Sequence, residues 1–208
     1  DGNVSTIYHD HDNMYDITRL CALMLGEEGN VCVMVGSPGN YVSDQRQSGM
    51  EDALSEYPNI TYTTVACNYD SATALTKAEE VVAANPEMDA LICVTDDCTI
   101  SAAQALPENT LIFSHDGSVD AINLVSESGS NWMCTNLTGS YRVGYWNVAV
   151  GAALCQGQDV PENVFLPTYM VLSDEAMEVV EANADMFAEQ NIIPASEALE
   201  VSGDYAAE

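Results

Sequence analysis

Basic residues are nearly absent from this sequence. Arg19, Arg46, Lys77 and Arg142 stand against 33 Asp and Glu, for a formal net charge of −29. Affinity for nucleic acid comes from Lys and Arg that neutralise phosphates, so nucleic-acid partners are excluded. The same repulsion disfavours anionic membrane surfaces. The acids are spread along the chain, which describes a solvated, self-repelling surface. No apolar run approaches the ~20 residues of a bilayer-spanning helix. No basic stretch followed by an apolar one opens the sequence, so no signal peptide is read here. The chain starts on Asp1 and enters a strand-like segment at once, which predicts a further portion upstream.

Other absences narrow the chemistry. The seven cysteines include no C-x-x-C pair, so the spacing of a metal site is missing. Most lie in apolar stretches such as Val31-Cys32-Val33 and Ile92-Cys93-Val94, where a thiol acts as a small core residue. No G-x-S-x-G elbow and no Cys–His signature supports a nucleophile. The Gly36-Ser37-Pro38-Gly39 turn lacks the Lys and the spacing of a phosphate loop. His9 and His11, with Asp10 and Asp12, have the residue types of a metal cluster. Read on a strand, however, the two histidines share one face and the acids point away. These features predict no metal, no cofactor and no catalytic residues.

What is present is regular. Apolar residues make up 47% of the 208, enough for a core. Strands are predicted at Val4–His9, Asn30–Val35, Ile60–Ala66, Ala90–Val94, Thr110–Ser114, Trp132–Thr135 and Phe165–Val171. Short apolar runs bounded by turn residues suit buried parallel strands. Helices are predicted between them, at Tyr15–Leu25, Ser43–Glu56, Ser71–Ala84, Thr99–Leu106, Val119–Glu127, Gly144–Cys155 and Asp174–Glu189. Asp70-Ser71 and Ser173-Asp174 carry start signals. The alternation predicts an α/β fold: a doubly wound parallel sheet in three layers, with Ile7, Val33, Val65, Ile92 and Ile112 on central strands. Ligands of such sheets bind at the carboxyl ends of the strands. The residues there include Arg46, Tyr69, Thr95, Asp96, His115 and Asp116. Carboxylates, amides and an Arg fork suit a polyol, and Tyr69 is placed to stack on a sugar ring. The plainer roles are a surface ion pair for Arg46, a helix cap for Asp96 and a half-buried loop aromatic for Tyr69.

Several ordered segments carry a family resemblance. Arg46-Gln47-Ser48-Gly49-Met50, Asn85-Pro86 through Ala90 with Val94-Thr95-Asp96-Asp97, His115-Asp116-Gly117, and Gly157 through Pro161 with Val164 to Pro167 match in order and spacing. Together they resemble the type I periplasmic-binding-protein-like family of ribose- and galactose-type importers and lactose-repressor effector domains. The match runs from about Val4 to Val171. It implies that Arg46 clamps ligand hydroxyls, Tyr69 stacks, Thr95 or Asp96 stands for an Asn-Asp pair and Asp116 accepts from hydroxyls. His115 and Thr95 depart from the commoner aromatic and Asn. Asn136 or Thr138 takes the last polar position.

By the same resemblance, residues 1–135 form the ligand-binding second lobe, 136–160 return to a first lobe missing from this sequence, and 161–208 hold a return strand and an acidic C-terminal helix and tail. The expected function is that of a non-enzymatic solute-binding component of an ABC importer. Its partners would be a sugar or related polyol, an ABC permease, the missing first lobe and, for the chain alone, a second copy. An extracellular or periplasmic lipoprotein location follows from the resemblance. An effector domain of a transcriptional regulator and an α/β hydrolase are the competing readings. The charge argues against the first and the missing nucleophile against the second.

Overall fold

A computed structural model describes residues 4–204. Seven strands form the main sheet: β2 (Glu28–Val35), β3 (Asn59–Ala66), β4 (Ala90–Cys93), β5 (Leu111–Asp116), β6 (Trp132–Leu137), β8 (Tyr169–Leu172) and β9 (Ile192–Pro194). Their order is β3-β2-β4-β5-β6-β8-β9. All neighbours are parallel except β6 and β8. The helices are α1 (Asp10–Met24), α2 (Tyr41–Leu54), α3 (Ser71–Ala84), α4 (Asp96–Ala103), α5 (Val119–Ser126), α6 (Ser140–Cys155), α7 (Asp174–Ala182) and α8 (Ala195–Asp204). The expected doubly wound, three-layer α/β architecture is what forms.

The apolar runs explain the layers. Side chains alternate across a strand, and on β2 Val31, Val33 and Val35 enter one core cluster while Cys32 and Met34 enter the other. The first cluster packs α1 residues Met14, Ile17 and Leu20 on Ile92 and Phe113. The second holds Ala74, Ala78, Leu91 and Cys98 under α3 and α4. A third, with Ile122, Trp132 and Ala198, lies under α5 and α8. Helix starts follow side-chain caps at Asn40, Asp70, Ser118 and Ser173, each of which satisfies a backbone N–H that has no partner inside its helix.

Several expectations differ from the structure. Ile7 is not on the main sheet: β1 (Ser5–Ile7) pairs only with β7 (Asn163–Phe165), in a separate two-stranded sheet. Val65 lies on β3, which is an edge strand with a largely exposed face. The helix expected from Tyr15 begins at Asp10, so His9 and His11 do not share a strand. Asp10 and Asp12 instead occupy its first turn, where carboxylates suit the helix dipole. The strand expected over Phe165–Val171 breaks into β7 and β8 around Pro167, which has no N–H for a ladder. The last long helix stops at Ala182, and the short β9 and α8 follow it. The domain ranges 1–135 and 161–208 include residues 1–3 and 205–208, which lie outside the described residues. Between β6 and β7, α6 contacts β1 and carries exposed Tyr145, Trp146, Val148 and Leu154. Among the described residues no helix is long and apolar enough to cross a membrane.

Candidate functional site

The strand order reverses between β2 and β4, since β3 turns outward from β2 and β4 returns on its other side. Crevices at such a switch point receive ligands in open α/β sheets. Arg46 reaches this point from α2. Gly49 makes that possible: a Cβ there would sit 2.1 Å from the His11 carbonyl oxygen, so only glycine lets α2 approach α1 so closely. Arg46 is buried. Its Nε donates to Asp10 Oδ1 at 2.8 Å, and its Nη1 donates to Asp116 Oδ1 at 2.9 Å and to the Val94 carbonyl at 2.5 Å.

Asp116 gathers the neighbouring groups. Thr95 Oγ1 donates to its Oδ2 at 2.7 Å, and His115 Nδ1 lies 3.2 Å from Oδ1. Burial by itself would raise its pKa, but the His115 hydrogen bond, the charge on Arg46 and the Thr95 hydroxyl outweigh it and hold the carboxyl at about 2. Its φ of 119° is a strained conformation for a residue with a Cβ, of the kind found where a site fixes a side chain. Gly117 follows because a Cβ there would meet the Leu137 Cα at 2.4 Å.

His115 and Asn136 are register partners on β5 and β6, so they share one face of the sheet. Both are fully buried. His115 Nε2 and both amide atoms of Asn136 have no hydrogen-bond partner. Burial, reinforced by Arg46, lowers the His115 pKa, which keeps the ring neutral at pH 7. Unpaired buried polar groups are costly and point to an occupant such as a ligand or water. Thr138, the other residue at this position, donates through Oγ1 to the Asp116 carbonyl at 3.0 Å. Tyr69 is exposed at a φ of 58°. Its ring covers Gly36, where a Cβ would fall 2.3 Å from Tyr69 Cζ.

Asp96 stands apart from this group. Its Oδ1 accepts from Ser114 Oγ at 2.5 Å and Thr135 Oγ1 at 2.8 Å, and its Oδ2 accepts from the Ser118 amide at 2.6 Å. Burial raises its pKa to about 6, against those hydrogen bonds. It therefore knits β4, β5, β6 and the start of α5 together. It does not cap α4, whose N-cap is Thr95.

Sequence reasoning missed Asp10, which holds Arg46, and Asn13, a buried amide that accepts from Thr168 Oγ1 at 3.0 Å. The only available signal was their place just after the first strand. A cavity of about 350 Å³ reaches the network through Asp10, with Tyr8, Tyr41, Gln45 and Phe165 around it. Another of about 690 Å³ lies along the Asn13, Asp16 and Arg19 side of α1, and neither Arg46 nor Asp116 lines it. Among the described residues no group of three or more His, Cys, Asp or Glu side chains is placed to hold a metal ion.

The family model described as "Periplasmic binding protein domain" matches residues 17–159, more than half of the chain. The chain belongs to the periplasmic binding protein domain family. It is 28% identical over 159 residues to a xylitol-binding protein of Mycolicibacterium smegmatis, covering 74% of this chain but 44% of that relative. Its fold is similar to an ABC transporter periplasmic solute-binding protein from Actinobacillus succinogenes solved with D-allose, at TM-score 0.76 and 21% identity, covering 82% of this chain and 61% of that one. A solute-binding protein from Mycobacterium smegmatis solved with glycerol gives TM-score 0.76 at 24% identity, over the same shares. The chain thus spans under half the length of its curated relative and under two thirds of these structures.

Proposed function

We propose that this chain forms the ligand-holding lobe of a solute-binding component of an ABC importer, which captures a sugar or related polyol without chemical conversion. The observation that carries the reading is the Arg46–Asp10–Asp116–Thr95 network at the switch point of a sheet whose family is the periplasmic binding proteins. A carboxylate held ionised accepts from ligand hydroxyls while the fixed guanidinium beside it donates to them. Arg46, Thr95, His115, Asp116 and Asn136 are the assigned ligand groups, with Tyr69 at the rim. Asp96 is reassigned to holding the loops, since its oxygens are already engaged.

The ligand would close between this lobe and a companion lobe, against which α6 and β1–β7 would pack. The exposed Tyr145, Trp146 and Val148 support that assignment, and in the chain alone the same face would pair with a second copy. The assembly would work outside the cytoplasm, as a lipid-anchored protein delivering to a membrane permease.

Specific binding raises thermal stability by mass action. A thermal-shift screen of the full gene product against pentoses, hexoses and pentitols, xylitol included, tests the reading. At least one neutral polyhydroxy compound should raise the melting temperature saturably. A response to none of them counts against it.

A further inference from the structure

All seven cysteines are free thiols, and six of them are buried. Three converge away from the ligand groups. Cys67 follows β3, and its amide and Sγ both donate to the Val35 carbonyl, at 2.8 and 3.1 Å. Cys93 ends β4, with Sγ 3.6 Å from the Thr95 carbonyl oxygen. Cys98 lies in the first turn of α4. All three belong to one core cluster with Met34, Ala74 and Leu91.

Topology decides which pair is able to bond. β2 lies between β3 and β4, so Cys67 and Cys93 belong to segments about 9.5 Å apart, two inter-strand spacings. A disulfide needs Cα atoms within about 7 Å. Cys98 sits on the helix that leaves β4, and the segment after Cys67 touches that helix where Ser71 Oγ donates to the Asp97 carbonyl at 3.4 Å.

We propose that Cys67 and Cys98 form a reversible disulfide, oxidised by a small-molecule disulfide such as oxidised glutathione. The Cys67 thiolate attacks one sulfur of the oxidant, whose S–S bond breaks and releases one glutathione thiolate. Cys98 then gives up its proton and attacks Cys67 Sγ, which releases the second glutathione. Two protein thiols are oxidised and one glutathione disulfide is reduced to two thiols, the protons passing to the departing thiolates. The neighbouring Cys93 and Cys98 side chains lower the Cys67 pKa, so the thiolate forms once the segment opens and the bond to the Val35 carbonyl is given up. Cys93, whose Sγ faces the Thr95 carbonyl, stays outside the bond. Access requires local opening after Cys67, where Asn68, Tyr69 and Asp70 are all exposed. The bridge would join the segments that carry Tyr69 and Thr95.

The test exposes the purified chain to oxidised glutathione, alkylates free thiols in denaturant, and maps non-reduced peptides after cleavage at acidic residues. The expected result is five alkylated cysteines, two fewer than the seven in the sequence. One peptide pair should link Cys67 to Cys98 and separate on reduction. Cys67→Ser and Cys98→Ser should each abolish the bridge, and Cys93→Ser should retain it. Seven alkylated cysteines, or a bridge through Cys93, would overturn the proposal. Should a serine variant fail to fold, the wild-type peptide map alone decides.

Discussion

Asp10 and Arg46, 36 residues apart in sequence, meet through a 2.8 Å hydrogen bond between two buried side chains. The bond ties the first turn of α1 to α2 at the point where the chain passes from the β1–β7 sheet into the main sheet. Arg46 thereby presents Nη1 to Asp116 and Val94 from a fixed position.

Removing one partner of a buried ion pair leaves the other charge uncompensated. Asp10→Ala should therefore destabilise the chain by about 3 kcal/mol, the low end of such penalties, because Arg46 keeps Asp116. Asp10→Asn should cost less, since an amide oxygen still accepts from Nε. Urea unfolding at neutral pH measures both. Equal costs would show that the retained hydrogen bond to Nε contributes nothing beyond the lost charge.

Asp96 tests the loop-holding role. Its pKa is raised, so the folded state keeps a proton that the unfolded state loses between about pH 4 and 6. Stability from this group therefore falls as pH rises through that window. Asp96→Asn should remove the dependence and keep the fold, with the amide oxygen facing the Ser118 amide and the NH2 facing the two hydroxyls. Asp96→Ala should cost about 1–3 kcal/mol by stranding those partners. Denaturation midpoints at about pH 4.5 and 7.5 read both effects.

His11 works with the opposite charge sign. Hydrogen bonds that the ring donates to Asp52 first and Asp12 next raise its pKa, through contacts of 3.0 and 2.8 Å. Its contribution is fully present below the ordinary histidine value of about 6.5 and is lost as pH rises through the higher folded value. The stability difference between wild type and His11→Gln should shrink between about pH 5.5 and 8.5. A constant difference would contradict the pairing.

Trp146 tests the exposed face of α6. Light scattering at micromolar concentration should show a dimer of the 208-residue chain, and Trp146→Glu should convert it to monomer. A monomeric wild type with Trp146 open to solvent quenchers would refute the self-association.

The centre of this fold was legible because its strands are continuous apolar runs. Val31 to Val35 and Ala90 to Cys93 are buried on both faces, and such segments announce themselves. Ile7 looked the same over three residues, but nothing local distinguishes a main-sheet strand from one that pairs with Asn163–Phe165 far along the chain. Arg46 was legible through scarcity: a charge that appears four times in 208 residues is conspicuous at a strand end. Asp10 was hidden because one acid among so many carries no signal. The hydrogen bonds of Asp96 were hidden because Ser114, Ser118 and Thr135 reach it from three later segments, and a set of that kind has no sequence pattern.

Calorimetric titration of the full gene product, with Asp116→Ala beside Asp96→Asn, tests the central claim most directly. Hydrogen bonds to a charged acceptor contribute about 1.5–3 kcal/mol, so Asp116→Ala should weaken sugar or polyol binding by about 10- to 150-fold. Asp96→Asn should leave the affinity close to wild type. Unchanged affinity in Asp116→Ala, or loss of binding in a folded Asp96→Asn alone, would contradict the assignment of the cleft.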